Sequence, residues 1–136
     1  DQMHKAANLS KKNTKILGVS ILTSLDSQQI KKYYFNNSVE KIVSDYTNYA
    51  LKSNLDGIVC SPLEVNMVKK IAGNKLITVV PGIRPREYNN KNDDQKRYVT
   101  PKEAIDFGAD YLVIGRPITE SHNPLKSIKE INESLI

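Results

Sequence analysis

The sequence predicts an α/β fold made of four consecutive βα units, equivalent to half of a (β/α)8 TIM barrel. A short apolar run, a turn and a stretch with helical periodicity recur in that order four times. Strands that alternate with helices pair in parallel through crossover connections. The 136 residues suit a single unit, 1–136, but they are too few for a closed barrel, which needs at least about 200.

The first unit begins with the apolar run 16–22, which is nearly continuous, as in a parallel strand covered on both faces. Apolar residues then recur at spacings of three and four from Val39 to Ala50 and predict a helix. We interpret the aromatic cluster at 33–35 as the packed start of that helix rather than as an interface. The segment 1–9 is interpreted as the end of a preceding helix.

The second unit has its strand at 57–60, followed by Ser61 and Glu64 with a proline between them. This spacing is typical of a capping box with proline in the first turn, so a helix is expected to start here. An apolar stripe runs from 65 to 71, and Gly73 offers a C-terminal stop.

The third unit has its strand at 76–80 and then a long loop, 82–99. Most βα connections have about 2–6 residues, and longer loops in compact domains are often functional. Thr100 and Glu103 repeat the capping-box pattern, and the short helix that they start is expected to stop at Gly108.

The fourth unit has its strand at 111–114, which ends at Gly115 and Arg116. Asn123 and the following proline start a last helix, with apolar residues on one face from 125 to 135.

The ends of the last two strands predict a site for an anion. Active sites of (β/α)8 proteins lie at the C-terminal ends of the strands, and phosphate sites often follow the last two. Arg84 and Arg116 come directly after these strands, and Gly115 allows an anion to approach the backbone. Other interpretations stay open: Arg84 could lie on the surface or in an ion pair, and Arg116 could simply cap the mouth of the barrel.

The composition argues against some classes of binding partner. The net charge is +5, but the lysines are scattered and not interleaved with stacking aromatics, which argues against a nucleic-acid surface. No apolar run approaches the roughly 20 residues of a membrane span. His4 and His122 are isolated, so no metal site is expected.

Cys60 is the only cysteine, which excludes an internal disulfide and a zinc cluster and favours a reducing cytoplasm. It is expected to be a small buried residue rather than a nucleophile. Because the first residue is Asp1 rather than methionine, we expect that the chain was processed or trimmed from something longer.

The exact residue strings at the strand ends are more informative than the charge and conformation of the single residues in them. They are V-S-I-L-T-S at 19–24, L-D-G-I-V-C-S at 55–61, P-G-I-R-P at 81–85 with D-Q-K-R at 94–97, and Y-L-V-I-G-R-P-I-T at 111–119. In this order and spacing they resemble strands five to eight of the bacterial orotidine 5'-phosphate decarboxylase family. The resemblance extends from about residue 15 to the C-terminus.

The resemblance implies a role for each matching residue. Thr23, Arg84 and Gln95 would contact the substrate, with Gln95 reaching both its phosphate and its pyrimidine end. Gly115 and Arg116 would hold the phosphate, and the loop 82–99 would close over it as a lid. Ser61 could face the pyrimidine, although its capping box is the expected explanation.

The family's catalytic lysine and aspartates lie in a D-x-K-x-x-D motif on its first three strands, and no such motif occurs in this chain. The segment D-Q-K at 94–96 supplies D-x-K, but Val99 stands where the second aspartate should be. No catalytic residue is therefore assigned, and the chain alone is expected to be inactive. The family reaction, which yields UMP in pyrimidine biosynthesis, implies no cofactor and no metal.

A half barrel also has two unpaired sheet edges and an uncovered inner face, which invite pairing. The expected partner is a second copy, as in the homodimers of the family, or a separate N-terminal half. Three functions stay open at this point: the orotidine 5'-phosphate- or UMP-binding half of the decarboxylase, a non-catalytic remnant that binds nucleotide or phosphate and self-associates, and a related sugar-phosphate decarboxylase. The strings at 81–85 and 94–97 argue against the third.

Overall fold

The computed structural model describes residues 2, 4, 5, 9, 14–34, 37–86, 88 and 98–136. Within these residues, four short strands form one sheet in chain order, and every neighbouring pair is parallel. The strands are β1 (Leu17–Val19), β2 (Gly57–Val59), β3 (Ile77–Val80) and β4 (Tyr111–Leu112). The predicted parallel sheet is confirmed. All four strands are shorter than their apolar runs, and the outer strands β1 and β4 each have a hydrogen-bonded neighbour on one side only in the described structure.

Helices alternate with the strands, as the periodicity predicts. They are α1 (Ser27–Tyr33), α2 (Val39–Lys52), α3 (Val65–Ala72), α4 (Pro101–Asp106), α5 (Arg116–Thr119) and α6 (Pro124–Glu133). Short 3-10 turns at Pro62–Glu64 and Gly73–Lys75 flank α3. Residues 2, 4, 5 and 9 are helical, and the rest of the segment 1–13 lies outside the described residues. No helix in the described part of the chain is long and apolar enough to span a membrane.

Helix α1 is a feature that the sequence analysis missed. Asp26 caps it: Asp26 Oδ1 accepts hydrogen bonds from the backbone N–H groups of Gln28 and Gln29, both at 2.9 Å. Gln29 Oε1 in turn accepts from the Asp26 N–H at 3.0 Å, which completes a capping box. Tyr33 and Tyr34 therefore close α1 rather than opening α2, so our interpretation of these two residues was wrong, and Phe35 lies outside the described residues. Tyr33 ends the helix and is exposed.

The predicted helix boundaries at α4 and α6 are confirmed by their caps. Thr100 Oγ1 accepts from the Glu103 N–H at 3.3 Å, and Glu103 Oε2 accepts from the Thr100 N–H at 2.8 Å. Asn123 Oδ1 accepts from an N–H in the first turn of α6 at 3.1 Å. The predicted stops Gly73 and Gly108 have φ of +56° and +95°, which glycine adopts without a steric penalty.

The sheet has one covered face and one open face. Ile58, Thr78 and Val80 are buried on the face that is packed against the helices. The opposite face carries the register row Val19, Val59, Val79 and Tyr111, in which the two end residues are each 59% exposed. We call this row, together with Leu17, the open sheet face. It is an apolar surface that no described part of the chain covers.

Candidate functional site

The C-terminal ends of the four strands lie along one edge of the sheet, because all of the strands run in the same direction. Thr23 follows β1, Ser61 follows β2, Arg84 follows β3, and Gly115 with Arg116 follows β4. Neighbouring strands are about 4.8 Å apart. Arg84 and Gly115 follow the adjacent strands β3 and β4, whereas Thr23 follows β1, which is two strands away from β3. We call Arg84, Gly115 and Arg116 the candidate phosphate site.

Gly115 lies directly before α5 in open space. Its φ is −104°, and a Cβ atom built there would meet no atom within 4 Å among the described residues. Packing therefore does not require glycine here, and the open space leaves room for a ligand to approach the chain. The Gly115 carbonyl accepts from the N–H groups of Ile118 and Thr119 at 2.8 and 3.0 Å, which fixes the turn that presents the half-buried Arg116.

Arg84 is buried at the base of the long loop. Its side chain is at the sheet edge with 7% exposure, so the open alternative of a surface arginine is excluded. The Arg84 N–H donates to the Val99 carbonyl at 2.9 Å, and the Val99 N–H donates to the Gly82 carbonyl at 3.2 Å. These bonds tie the two ends of the loop 82–99 together. Residue 87 and residues 89–97 lie outside the described residues, and among them is Gln95, the predicted contact of phosphate and pyrimidine.

Thr23 is also buried, at 6% exposure. It lies in the turn that follows β1, where the Leu25 N–H donates to the Leu22 carbonyl at 3.2 Å. The side chain is therefore held at the edge where the other strand ends lie.

Ser61 is fully buried, and its hydroxyl has no hydrogen-bond partner among the described residues. Ser61 and Glu64 have the arrangement of the predicted capping box, in which Glu64 Oε2 accepts from the Ser61 N–H at 3.1 Å. In the other direction the Glu64 N–H bonds to the Ser61 carbonyl at 3.0 Å rather than to the hydroxyl. The predicted capping box is thus present, but a buried hydroxyl without a hydrogen-bond partner is uncommon in folded proteins, and capping does not account for it.

Cys60 is fully buried at the end of β2 and is a free thiol. Burial, together with the nearby negative charge of Glu64, raises the pKa of the Cys60 thiol to about 12. A thiol with that pKa stays protonated at neutral pH, so it cannot serve as a nucleophile there. No group of three or more histidine, cysteine or acidic side chains that could hold a metal ion occurs in the described part of the chain.

Two residues near the candidate phosphate site were missed by the sequence analysis. Tyr88 lies against the guanidinium of Arg84, with the Arg84 Cζ atom 5.4 Å from the centre of the tyrosine ring. Glu120 accepts a hydrogen bond from the Tyr88 hydroxyl at 3.2 Å. These residues are 32 positions apart, and no local pattern in the sequence signals that they meet.

The chain matches a family model described as the orotidine 5'-phosphate decarboxylase / HUMPS family, over residues 1–131. It is 44% identical to the orotidine 5'-phosphate decarboxylase of Staphylococcus saprophyticus, covering 98% of this chain and 59% of the relative. It is 46% identical to that of Nitrobacter winogradskyi, covering 93% and 53%. The chain thus spans a little more than half the length of these curated relatives.

Solved structures also match this chain over about half of their own length. The crystal structure of orotidine 5'-phosphate decarboxylase from Lactobacillus acidophilus superposes with a TM-score of 0.70 at 31% identity, covering 89% of this chain and 49% of that one. The matched structures are TIM barrels. The four βα units therefore correspond to about half of such a barrel, as the sequence predicts.

Proposed function

The chain belongs to the orotidine 5'-phosphate decarboxylase / HUMPS family, and we propose that it supplies the substrate-binding half of an orotidine 5'-phosphate decarboxylase in UMP biosynthesis. Its part would be to hold the phosphate and the pyrimidine of orotidine 5'-phosphate or UMP. The 136 residues contain no D-x-K-x-x-D motif, so the lysine and aspartates of the reaction would come from another segment or another chain.

The observation that carries the proposal is the position of the candidate phosphate site. Two arginines and an unobstructed glycine follow adjacent parallel strands at one edge of the sheet. A guanidinium donates two parallel hydrogen bonds to phosphate oxygens, and two guanidinium groups match the charge of a phosphate dianion. The bulk charge of +5 adds a favourable long-range field but does not select a ligand.

The pyrimidine would lie towards the other strands of the same edge. Ser61 has a buried hydroxyl without a protein partner, and a polar group of the ligand would satisfy it. Thr23, two strands from Arg84, would contact the more distant part of the nucleotide, and Gln95 would complete the phosphate contacts. In this proposal, loss of CO2 and protonation of C6 would take place away from these residues, and the residues would supply binding energy that fixes the reacting ring in place.

The open sheet face would be covered by a second half barrel. Val19 and Tyr111 are 59% exposed, at opposite edges of the sheet, and each edge strand has one side without a hydrogen-bonded neighbour in the described structure. A second copy of the chain or a separate N-terminal half would bury this surface and pair both edges. Velocity sedimentation tests for the second copy: a monodisperse monomer would contradict it and leave the N-terminal half as the partner.

A substitution on the open sheet face provides the control. Val19→Lys should weaken self-association, because it places a charge within the buried apolar surface. Tyr49→Lys is the matched variant, since Tyr49 is similarly exposed (62%) but lies on α2. Equal effects of the two substitutions would contradict an interface at the open sheet face.

A non-catalytic remnant that binds nucleotide or phosphate and self-associates is the second candidate, and the missing motif favours it. A complementation experiment distinguishes the half enzyme from the non-catalytic remnant. The chain would be combined with the segment of the Staphylococcus saprophyticus relative that it does not cover, and release of CO2 from orotidine 5'-phosphate would be measured. Activity of the mixture, absent from either part alone, supports the half enzyme. Binding of UMP without activity supports the remnant.

The binding itself is tested by calorimetric titration of UMP. Arg116→Ala should weaken binding by about 10- to 100-fold, since a charge-assisted hydrogen bond contributes about 1.5–3 kcal/mol. Lys126→Ala, which removes an exposed cation on α6, is the control. No saturable binding by the unaltered chain at millimolar UMP would contradict the proposal.

We also propose a cytoplasmic location. The free and buried Cys60 suits a reducing compartment.

A further inference from the structure

The two arginines of the candidate phosphate site are carried by different strand ends, and a bridge of contacts connects Arg84 to the backbone segment that carries Arg116. On the side of β3, Arg84 Nη1 donates to the Ile83 carbonyl at 2.9 Å, and the guanidinium lies over the ring of Tyr88 at 5.4 Å. A cation at this distance from a tyrosine ring is attracted to its face. The Tyr88 N–H donates to the Pro85 carbonyl at 3.0 Å, and this turn places the ring beneath the arginine.

The bridge continues to the other strand end through the hydroxyl of the same tyrosine. Tyr88 Oη donates to Glu120 Oε2 at 3.2 Å. Glu120 is the C-cap residue directly after α5, and its N–H donates to the carbonyl of Arg116 at 2.9 Å. Arg116 and Glu120 thus lie at the two ends of a single helical turn. The bridge runs from Arg84 through Tyr88 and Glu120 to the segment that carries Arg116.

We propose that Tyr88 is a positioning residue that fixes the guanidinium of Arg84 relative to Arg116. This inference rests on the proposed function, because it concerns the same site. Two arginines bind one phosphate well only if their separation is set before the ligand arrives, since ordering long side chains on binding costs conformational entropy. Tyr88 limits that cost at Arg84, and Glu120 anchors Tyr88 to the segment of Arg116.

The bridge also helps to compensate for the burial of Arg84. Burial of a cation is unfavourable unless its hydrogen bonds and charge are compensated. The backbone carbonyl of Ile83 and the face of the Tyr88 ring supply part of that compensation on the described side of the loop.

The variants separate the ring of Tyr88 from its hydroxyl. Tyr88→Phe keeps the ring under Arg84 and removes the bond to Glu120, and Glu120→Ala removes the same bond from the other side. Glu120→Gln keeps an oxygen that can accept from the tyrosine, so it serves as the conservative rescue. Tyr49→Phe removes an exposed hydroxyl on α2 and is the matched control.

Two measurements on the full chain test the proposal. Calorimetry gives the affinity for UMP, and NMR gives the exchange rate of the Arg84 Nε–H without ligand. Tyr88→Phe and Glu120→Ala should each weaken UMP binding about fivefold, from the loss of one hydrogen bond. They should also speed the Nε–H exchange. The double variant should be no weaker than either single one, and Glu120→Gln and Tyr49→Phe should match the unaltered chain.

The outcomes distinguish this inference from the proposed function. If the unaltered chain binds UMP, and Tyr88→Phe and Glu120→Ala change neither the affinity nor the exchange rate, Tyr88 does not position Arg84 and the inference is overturned. If the unaltered chain does not bind UMP, the proposed function fails, and the exchange rate alone decides whether Tyr88 fixes Arg84. An equal loss of affinity in Glu120→Gln and Glu120→Ala would also overturn the inference, since the bridging oxygen would then not matter.

Discussion

Replacement of Asp110 by alanine should destabilise the chain by about 2–3 kcal/mol, because one carboxylate ties two strands together. Asp110 lies just before β4, and its Oδ2 accepts from the Thr78 N–H at 2.7 Å and from the Thr78 hydroxyl at 2.8 Å. The same oxygen accepts from Lys69 Nζ at 2.6 Å. Thr78 is fully buried in β3, so its donors would lose their partner in a place that water reaches poorly.

The magnitude follows from the separate contacts. An unsatisfied buried donor costs about 1–3 kcal/mol, and the lower end applies here because the Asp110 side chain is 38% exposed and water can partly replace it. The partly exposed ion pair with Lys69 adds about 0–1 kcal/mol. With a urea dependence of roughly 1.5 kcal/mol/M for a chain of this size, the unfolding midpoint should fall by more than about 1 M.

Urea unfolding monitored by circular dichroism measures this shift, with Asp45→Ala as the control. Asp45 also bonds a lysine, Lys41 Nζ at 2.7 Å, but both side chains are exposed on α2. Its loss should therefore cost no more than about 0.5 kcal/mol. If Asp110→Ala lowers the midpoint no more than Asp45→Ala does, the carboxylate does not tie β4 to β3 and the reasoning is refuted.

The dependence on pH provides a second check. Partial burial opposes ionisation of Asp110, but the hydrogen bonds from Lys69 and Thr78 together outweigh it and hold the pKa of the carboxyl below its ordinary value. A carboxyl with a lowered pKa in the folded state stabilises the fold above its unfolded pKa of about 4, and this contribution is lost as pH falls through the folded pKa. The stability difference between the unaltered chain and Asp110→Asn should therefore be constant near neutral pH and shrink below about pH 4.

Three further predictions concern single residues. Ser61→Ala should stabilise the ligand-free chain by about 1 kcal/mol, because it removes a buried hydroxyl without a partner, yet weaken UMP binding; a loss of stability would contradict this. Cys60 should not react with a disulfide reagent at pH 8 until urea unfolds the chain, because its pKa is about 12 and it is buried; labelling of the folded chain would contradict this. Thr100→Ala should cost about 1 kcal/mol in urea unfolding through loss of the cap of α4, whereas Thr100→Ser should restore most of it; equal stability of the two variants would exclude a role for the hydroxyl.

The contacts that stabilise the strands and the proposed binding site lie at opposite edges of the sheet. At the N-terminal edge, Asp110 and Asp56 precede β4 and β2, and Asp56 Oδ2 accepts from the Ile16 N–H at 2.7 Å beside β1. At the C-terminal edge lie the candidate phosphate site and the buried hydroxyl of Ser61. This division is general for (β/α)8 folds, in which loops at the C-terminal edge vary without disturbing the strand starts.

The order of elements and the family could be established from the sequence alone. Apolar runs separated by helical periodicity specify a parallel sheet, because that is the arrangement in which consecutive strands of a βα repeat pair. Capping signals are equally local, so the start of α4 at Thr100 and the stop at Gly73 were predicted to the residue. The capping box at Asp26 is just as local and was overlooked, which makes α1 an error of interpretation rather than a limit of the sequence.

Only the tertiary structure decided which side chains meet across the site. Arg84 is buried against Tyr88, Tyr88 reaches Glu120, and the hydroxyl of Ser61 has no partner among the described residues. These facts depend on contacts between strand ends that are far apart in sequence, where packing and hydrogen-bond geometry choose among partners that local patterns leave equivalent. The same holds for the open sheet face, since a period of two marks a strand's faces but cannot tell which of them the helices cover.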